Sequence, residues 1–519
     1  MVQLHETDSA PSTLGALRRN LILAVMCLAL VAVMGMMASL MVAAPNIATD
    51  LRVTEADLLW IVNAYGVTFA GLLLMAGALG DRYGRKSMLV IGLLIFGASS
   101  AAVLIVDDIA TIIALRAVAG VGAAAVMPTT LSIITHVFPP QERARAVGIW
   151  SGVAVGGALI GLLSAGGLLE GFSWRSVFVF NVALTAVTLA ATVLIPRQSR
   201  SNTEPVDIAG GLLSVVAIAS LVFGMIEGPE RGWGSAWVVS AFAVTVAGAA
   251  LFAGWELRHP RPLLDLRLFR RRGLTSGTIV ITAESLAMFG FFFVGLQYLQ
   301  VIKTYSPLGA ALAMLPMALA AMVFSPIVPV LQGKWGYRLV VVTGMVMIAG
   351  GLLLMTTLTA ESSYLPIGIG VFLLGSGIAF AATPATEALM SALPPEQHGV
   401  ASALNDVTRE LGGVLGIALL GSVFTDIYRD RVGDAVTALP PDLAHTAMDS
   451  AATAVAIASM TEAPDGMLDT VHDSFQHAMT ISLAAGIVIV VIGAVAAAAI
   501  SRDHGRDSQD TAGHPGNDA

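Results

Sequence analysis

The chain of 519 residues holds one cysteine, Cys27, so no internal disulfide can form and redox chemistry is not its purpose. It has no Gly-x-x-x-x-Gly-Lys-Ser/Thr phosphate loop, which argues against ATP as a direct energy source. Its nine histidines are scattered through loops and tails, and no Cys/His cluster has metal-ligand spacing. Charge is also scarce. Asp, Glu, Lys and Arg make up 12% of the residues, about half the usual share of a soluble domain. These absences exclude a nucleotide-driven engine, a metal centre and a nucleic-acid groove, and they predict no enzyme and no resident cofactor.

What is abundant is apolar sequence: 56% of residues are hydrophobic and the mean hydropathy is +0.81. No soluble core needs that much, so the chain is expected in lipid. The 22 Met and 53 Gly suit close-packed helices around an adaptable cavity, although Met also serves as ordinary apolar filler. Apolar runs of about 20 residues predict fourteen spans, at 20–44, 57–79, 88–106, 109–135, 146–169, 175–196, 208–228, 235–255, 274–302, 306–330, 339–358, 364–391, 399–425 and 475–501. The first follows Arg18 and Arg19, exceeds a signal-peptide core and lacks a convincing cleavage site, so it is read as a helix.

Orientation follows from the basic residues. With the amino terminus inside, most of the 27 Lys and Arg fall on the cytoplasmic side, against Arg52, Arg175, Arg231, Lys303, Arg429 and Arg431 on the other. This bias predicts that both termini are cytoplasmic, with anionic lipid headgroups as partners of the basic loops.

The decapeptide Gly77-Ala78-Leu79-Gly80-Asp81-Arg82-Tyr83-Gly84-Arg85-Lys86 lies between two apolar runs. It reads as a tight hairpin at the membrane surface, its glycines allowing reversal and close approach, with Asp81 among Arg82, Arg85 and Lys86 as a charge lock. Those cations also serve the positive-inside bias with no gating role. Leu331-Gln332-Gly333-Lys334-Trp335-Gly336-Tyr337-Arg338 aligns with Leu79 to Lys86, eight spans later. A duplicated six-helix bundle gives an offset of six, so two extra helices are expected between the halves. The linker Pro196-Arg197-Gln198-Ser199-Arg200-Ser201 and the stretch from Arg258 to Arg272 bracket that pair.

At this point the chain resembles the major facilitator superfamily, and within it the fourteen-helix drug:proton antiporters. Gly77 to Lys86 matches the signature after helix two, and Arg116-Ala117-Val118-Ala119-Gly120-Val121-Gly122-Ala123-Ala124 is similar to the helix-four signature, with Ala119 where glutamine is usual. Phe172-Ser173-Trp174-Arg175 and the run from Gly399 to Asp406, continued by Arg409-Glu410-Leu411-Gly412-Gly413, are further matches. The chain also departs from the family. Met36 stands where helix one usually carries an acid before Pro45, and Ala158 and Leu162 replace two prolines in helix five. The strip Gly148, Gly152, Gly156 there still predicts close helix packing.

With no acid in span one, another buried carboxyl is expected to carry the exchangeable proton. Glu284 lies about ten residues into span nine, roughly 15 Å along the helix at 1.5 Å per residue, and has no basic neighbour in sequence. An unpaired carboxylate is costly there, so the side chain suits a proton when empty and a cation when loaded, unless it merely hydrogen-bonds a neighbouring helix. Met288 and Phe291 follow at i+4 and i+7; with Met36 and Met41 they are expected to line a central cavity. Arg116, isolated in span four, is tied by the resemblance to proton coupling, and a structural hydrogen bond to backbone carbonyls is the alternative. Asp406, Arg409 and Glu410, at i, i+3 and i+4, are read as an ion network on one helix face, which Glu387 joins. The stretch from Asp426 to Asp473 reads as an acidic, solvated external loop, with Pro440-Pro441 and Pro464 breaking one weakly amphipathic stretch around Leu443 to Met460; an external vestibule whose acids attract cations is the alternative.

The expectation is an all-α integral membrane protein with the major facilitator fold: two six-helix bundles plus two central helices. The segments are a cytoplasmic tail 1–19, a first bundle 20–196, an inserted pair with basic linkers 197–273, a second bundle 274–501 containing loop 426–474, and a cytoplasmic tail 502–519. The resemblance implies proton-coupled efflux of lipophilic, mainly cationic compounds across a bacterial-type inner membrane by alternating access. The partners expected are small cationic or lipophilic substrates, protons and membrane lipids, with no nucleic acid. The proton gradient supplies the energy, and the chain is taken as a monomer. Two alternatives stay open: export of one dedicated metabolite, lipid or antibiotic, and a transport-inactive receptor or assembly scaffold.

Overall fold

The computed structural model describes residues 15–196, 206–260, 262–393, 398–433, 436, 439–459 and 466–500. The linker sites Arg197 and Arg200, Arg261, Pro464 and the tail with Arg502 and Arg506 lie outside them, as does the side chain of Asp81. The described residues form helices and connecting turns. In order the helices are α1 (Ala16–Leu51), α2 (Glu55–Tyr83), α3 (Arg85–Val103), α4 (Ile109–Val137), α5 (Pro140–Leu169), α6 (Arg175–Ala191), α7 (Ile208–Arg231), α8 (Ala236–Arg258) and α9 (Arg272–Gln297). They continue as α10 (Pro307–Ala313), α11 (Leu315–Phe324), α12 (Val328–Met355), α13 (Tyr364–Ser391), α14 (His398–Val432), α15 (Pro441–Asp449), α16 (Ala451–Ala458) and α17 (Met467–Ile500).

Among the described residues, 13 helical segments are long and apolar enough to cross a membrane. The expected span that is not among these 13, 146–169, falls in α5, whose described apolar stretch is Gly156–Leu169. Expected span 306–330 is broken: α10 stops at Ala313, α11 follows from Leu315, and α12 begins at Val328. The chain is therefore a multi-pass membrane protein.

Two local features show why the helices begin where they do. Thr54 caps α2 by accepting from the Asp57 amide at 3.0 Å, while Asp57 accepts from the Thr54 amide, a reciprocal capping box. Asp108 caps α4, and hydrogen bonds from the Thr111 hydroxyl and amide hold its exposed carboxyl below the usual aspartate range.

The hairpin read at Gly77 to Lys86 is present in compressed form. Helix α2 runs on through Tyr83, α3 starts at Arg85, and the reversal falls on Gly84 alone, at φ 97°. Gly336, its partner in the aligned octapeptide, has φ 79° and interrupts α12 in the same way. A side chain is strained in this region by about 1–3 kcal/mol. Gly84→Val is thus expected to lower the unfolding free energy of the purified protein by about that cost, seen as a lower unfolding midpoint, and an unchanged midpoint would show that the turn relaxes elsewhere.

The chain divides into two compact units. The first comprises the described residues up to Leu264 together with Leu296–Leu312 and Gly433–Val471; the second comprises Asp265–Gly295, Ala313–Val432 and the residues from His472.

In the first unit α1 packs along α5. A Cβ on Gly161 would overlap the Gly35 carbonyl, and one on Gly157 would lie 3.2 Å from Val31 Cα. The expected strip Gly148, Gly152, Gly156 meets no described atom, so the close packing belongs to a different face of α5. Helices α7 and α8, the pair read as inserted, belong to this unit, and α7 packs on α2. Ser214 donates to the Gly71 carbonyl of α2 at 3.0 Å, and the Trp60 indole donates to Glu227 at 2.9 Å.

The stretch read as a solvated loop also differs. Ala447, Ala451 and Ala454 are completely buried, and α16 packs on α1. Its small apolar residues make it part of the unit's core, whereas acids dominate only the surrounding sequence.

Candidate functional site

In the second unit, α9 and α14 approach until backbone meets backbone. A Cβ on Gly412 would sit 2.7 Å from the Thr282 carbonyl oxygen, one on Gly416 would overlap that of Leu286, and one on Gly290 would lie 2.8 Å from that of Gly416. On α17, Gly493 leaves room for Ala283. Glycine at these places lets helices carrying buried charges pack with no side chain between them.

Glu284 lies within this close pack. It is 5% exposed, and its Oε2 has no hydrogen-bond partner among the described residues. Thr282, Ser285, Leu286 and Phe289 face α14, whereas Glu284, Met288 and Phe291 share another face of α9. Phe291 is buried and Met288 half-buried.

The field of Arg409 on α14 reaches Glu284, Asp406 and Glu410 alike. Three carboxyls therefore share one guanidinium, and among the described residues none of the three makes a direct ion pair with it. Glu410 is buried with Oε2 unpartnered, and Asp406 accepts a long hydrogen bond from Asn405 at 3.5 Å. The carboxyls within the field of Arg409 thus include Glu284 of α9 as well as Asp406 and Glu410 of its own helix. Glu387 is set apart: it is exposed and accepts from the Gln332 amide at 3.0 Å, while neighbouring Thr386 donates to Asn405 at 3.0 Å.

Such a cluster has a defined chemical capacity. A buried ionised carboxylate without a partner costs several kcal/mol, so each of these carboxyls favours a proton or a positively charged ligand that can reach it. One proton leaving as one cation arrives keeps the charge balanced.

In the first unit, Arg116 of α4 is completely enclosed. Its Nε donates to the Ile61 carbonyl at 3.1 Å, and its guanidinium lies 4.6 Å from the centroid of the Tyr65 ring. Both terminal nitrogens lack a hydrogen-bond partner among the described residues. The structure thus supplies the carbonyl contact of the alternative reading and leaves both terminal nitrogens without a hydrogen bond among the described residues. Met36 and Met41 of α1 are buried in the same unit. At the hairpin, Arg85 donates to the Ser132 carbonyl at 3.2 Å, Lys86 donates to that of Ile195, and Arg82 stacks on Tyr83.

Two groupings were not singled out in the sequence. Trp174 donates to Asp50 at 2.7 Å, and Arg175 lies over the Trp174 ring while pairing with Asp107 and Asp50. These residues come from three separate segments, and only Trp174-Arg175 carried a signal. Glu55, 1% exposed at the start of α2, faces Gln297 and the Ala451 amide; its position beside the capping Thr54 reads as an ordinary first-turn acid, which concealed its burial.

Known proteins share this architecture. A sequence model of the Major Facilitator Superfamily matches residues 25–417. The chain is 35% identical over 384 residues, 74% of its length and 71% of the relative's, to multidrug resistance protein Stp of Mycobacterium tuberculosis. It is 31% identical over 460 residues, 88% of its length and 90% of the relative's, to multidrug efflux pump LfrA of Mycolicibacterium smegmatis. Among solved structures, a bacterial homologue of the human lysosomal transporter Spinster superimposes with a TM-score of 0.66 at 16% identity, covering 94% of this chain and 98% of the other.

Proposed function

The chain belongs to the Major Facilitator Superfamily, and from that membership we propose that it exports lipophilic, mainly cationic compounds from the cytoplasm in exchange for protons. The observation that carries this reading is Glu284, a buried carboxyl whose Oε2 is unpartnered and which shares the field of one guanidinium with Asp406 and Glu410. The similarity to a multidrug resistance protein, Stp, and a multidrug efflux pump, LfrA, supports export of varied drug-like compounds.

In this mechanism Glu284 carries a proton when the site is empty. A lipophilic cation entering from the cytoplasm replaces that proton, and the charge balance around Arg409 is kept. The site then opens to the other side, the cation leaves and a proton returns. Apolar side chains beside the carboxyl, Met288 among them, supply adaptable contact for varied substrates. Arg116, with both terminal nitrogens unpartnered among the described residues, is assigned to the coupling step in the first unit. The proton gradient is the energy source, no cofactor is required, and the protein acts as a monomer in the inner membrane with both termini cytoplasmic.

The equivalent strained turns at Gly84 and Gly336 support an internal duplication, and with it a division into bundles at 20–196 and 274–501 around an inserted pair. Asp81 is the latch of the first hairpin. Asp81→Asn is expected to slow turnover several-fold while dye affinity stays unchanged, because a latch acts on interconversion of states. Equal slowing by Arg82→Gln, Arg85→Gln and Lys86→Gln would favour a purely topological role.

The reading is tested by efflux of a cationic dye from energised vesicles. Export should stop when the pH gradient is collapsed. Export that persists contradicts proton coupling, and no export of any cation in a substrate panel contradicts the proposed activity.

A further inference from the structure

A hollow of about 350 Å³ opens in the second unit where α9 begins and α17 ends, lined by Phe269, Arg270, Arg272, Thr275, Ala499 and Ile500. It is chemically two-sided. Arg270 and Arg272 are exposed, and among the described residues neither guanidinium has a hydrogen bond or ion pair from the protein. Their neighbour Arg271 is employed differently: it donates to the Ala392 carbonyl and holds the turn against the end of α13. The Thr275 hydroxyl donates to the Phe269 carbonyl, fixing the same turn from the other side. The two free cations are therefore presented by an anchored segment.

The remaining walls are apolar, and they continue along α17. Val488, Ile492 and Val495 are 56%, 62% and 63% exposed, and with Ala499 they follow helical spacing, so one apolar strip runs from the hollow along the helix. A ligand matching both parts has negative charge at one end and long hydrocarbon at the other.

We propose that this hollow binds an anionic phospholipid, with its phosphate between Arg270 and Arg272 and an acyl chain along the Val488–Ile492–Val495 strip. Basic pockets at membrane-helix ends are suited to such headgroups, and each nearby Lys or Arg adds to the attraction. The bound lipid would brace the start of α9, the helix that carries Glu284.

Native mass spectrometry of the full-length protein tests this, using phosphatidylglycerol against phosphatidylcholine of identical acyl chains. The wild type should retain phosphatidylglycerol preferentially, and Arg270→Gln/Arg272→Gln should reduce that preference roughly tenfold. Ala499→Trp, which fills the hollow and keeps both charges, should reduce retention as well, whereas Arg267→Gln, outside the lining, should reduce it far less than the double variant. Equal retention of the two lipids, or unchanged retention in the double variant, would overturn the proposal. Displacement by millimolar glycerol 3-phosphate would also overturn it, by showing a site for soluble phosphate that makes no use of the acyl strip.

Discussion

Glu284→Gln is expected to abolish export of lipophilic cations driven by a pH gradient while leaving the fold intact. Glutamine keeps the shape of the side chain but can neither carry the exchanged proton nor meet a cation with charge. Oε2 of Glu284 has no hydrogen-bond partner among the described residues, so the substitution removes none there. A charge-assisted contact is worth about 1.5–3 kcal/mol, so apparent affinity for a cationic dye should fall roughly 10- to 150-fold, while a neutral substrate of similar size loses little. Vesicle efflux and dye binding measured on the same preparation separate these effects. Unchanged cation transport would remove Glu284 from the mechanism.

The second large effect is expected from Gly416→Leu. Arg409, Gly412, Gly413 and Gly416 recur at i, i+3, i+4 and i+7 along α14, and even a Cβ at position 416 would overlap the Leu286 carbonyl of α9. Backbone on both sides leaves nothing that can rotate aside, so the helices must separate, at about 1–3 kcal/mol for overpacking. Separation also moves Arg409 away from Glu284. A lower unfolding midpoint in detergent, together with loss of proton-coupled efflux, is the expected result. Gly350→Leu serves as a control, because a Cβ there meets nothing within 4 Å. If both variants behave alike, the close approach of α9 and α14 does not set the site.

The strong hydrophobic runs made most helices readable, since a span of lipid thickness leaves little freedom in its sequence. Glu284 could be singled out for a related reason: a lone acid in such a run is costly, and cost is visible without a structure. What stayed hidden depends on contacts between distant segments. Helical spacing showed that Asp406, Arg409 and Glu410 share a helix, but not that Arg409 also acts on Glu284, more than 100 residues earlier in the chain. Gly148, Gly152 and Gly156 form a regular strip, yet Gly157 and Gly161 make the contact with α1, because periodicity reports a face without naming its neighbour. The stretch holding α16 was misread for a compositional reason. Its acids dominate the charge composition, whereas Ala447, Ala451, Ala452, Ala454 and Ile457 are nonetheless buried.

Proton release during ligand binding tests the central claim most directly. Purified protein in weakly buffered detergent solution, mixed with a saturating lipophilic cation and a pH-indicator dye, should release protons, and Glu284→Gln should release none while remaining folded. Release of the same size from the variant, or no release from the wild type when binding is demonstrated, would contradict exchange at this carboxyl.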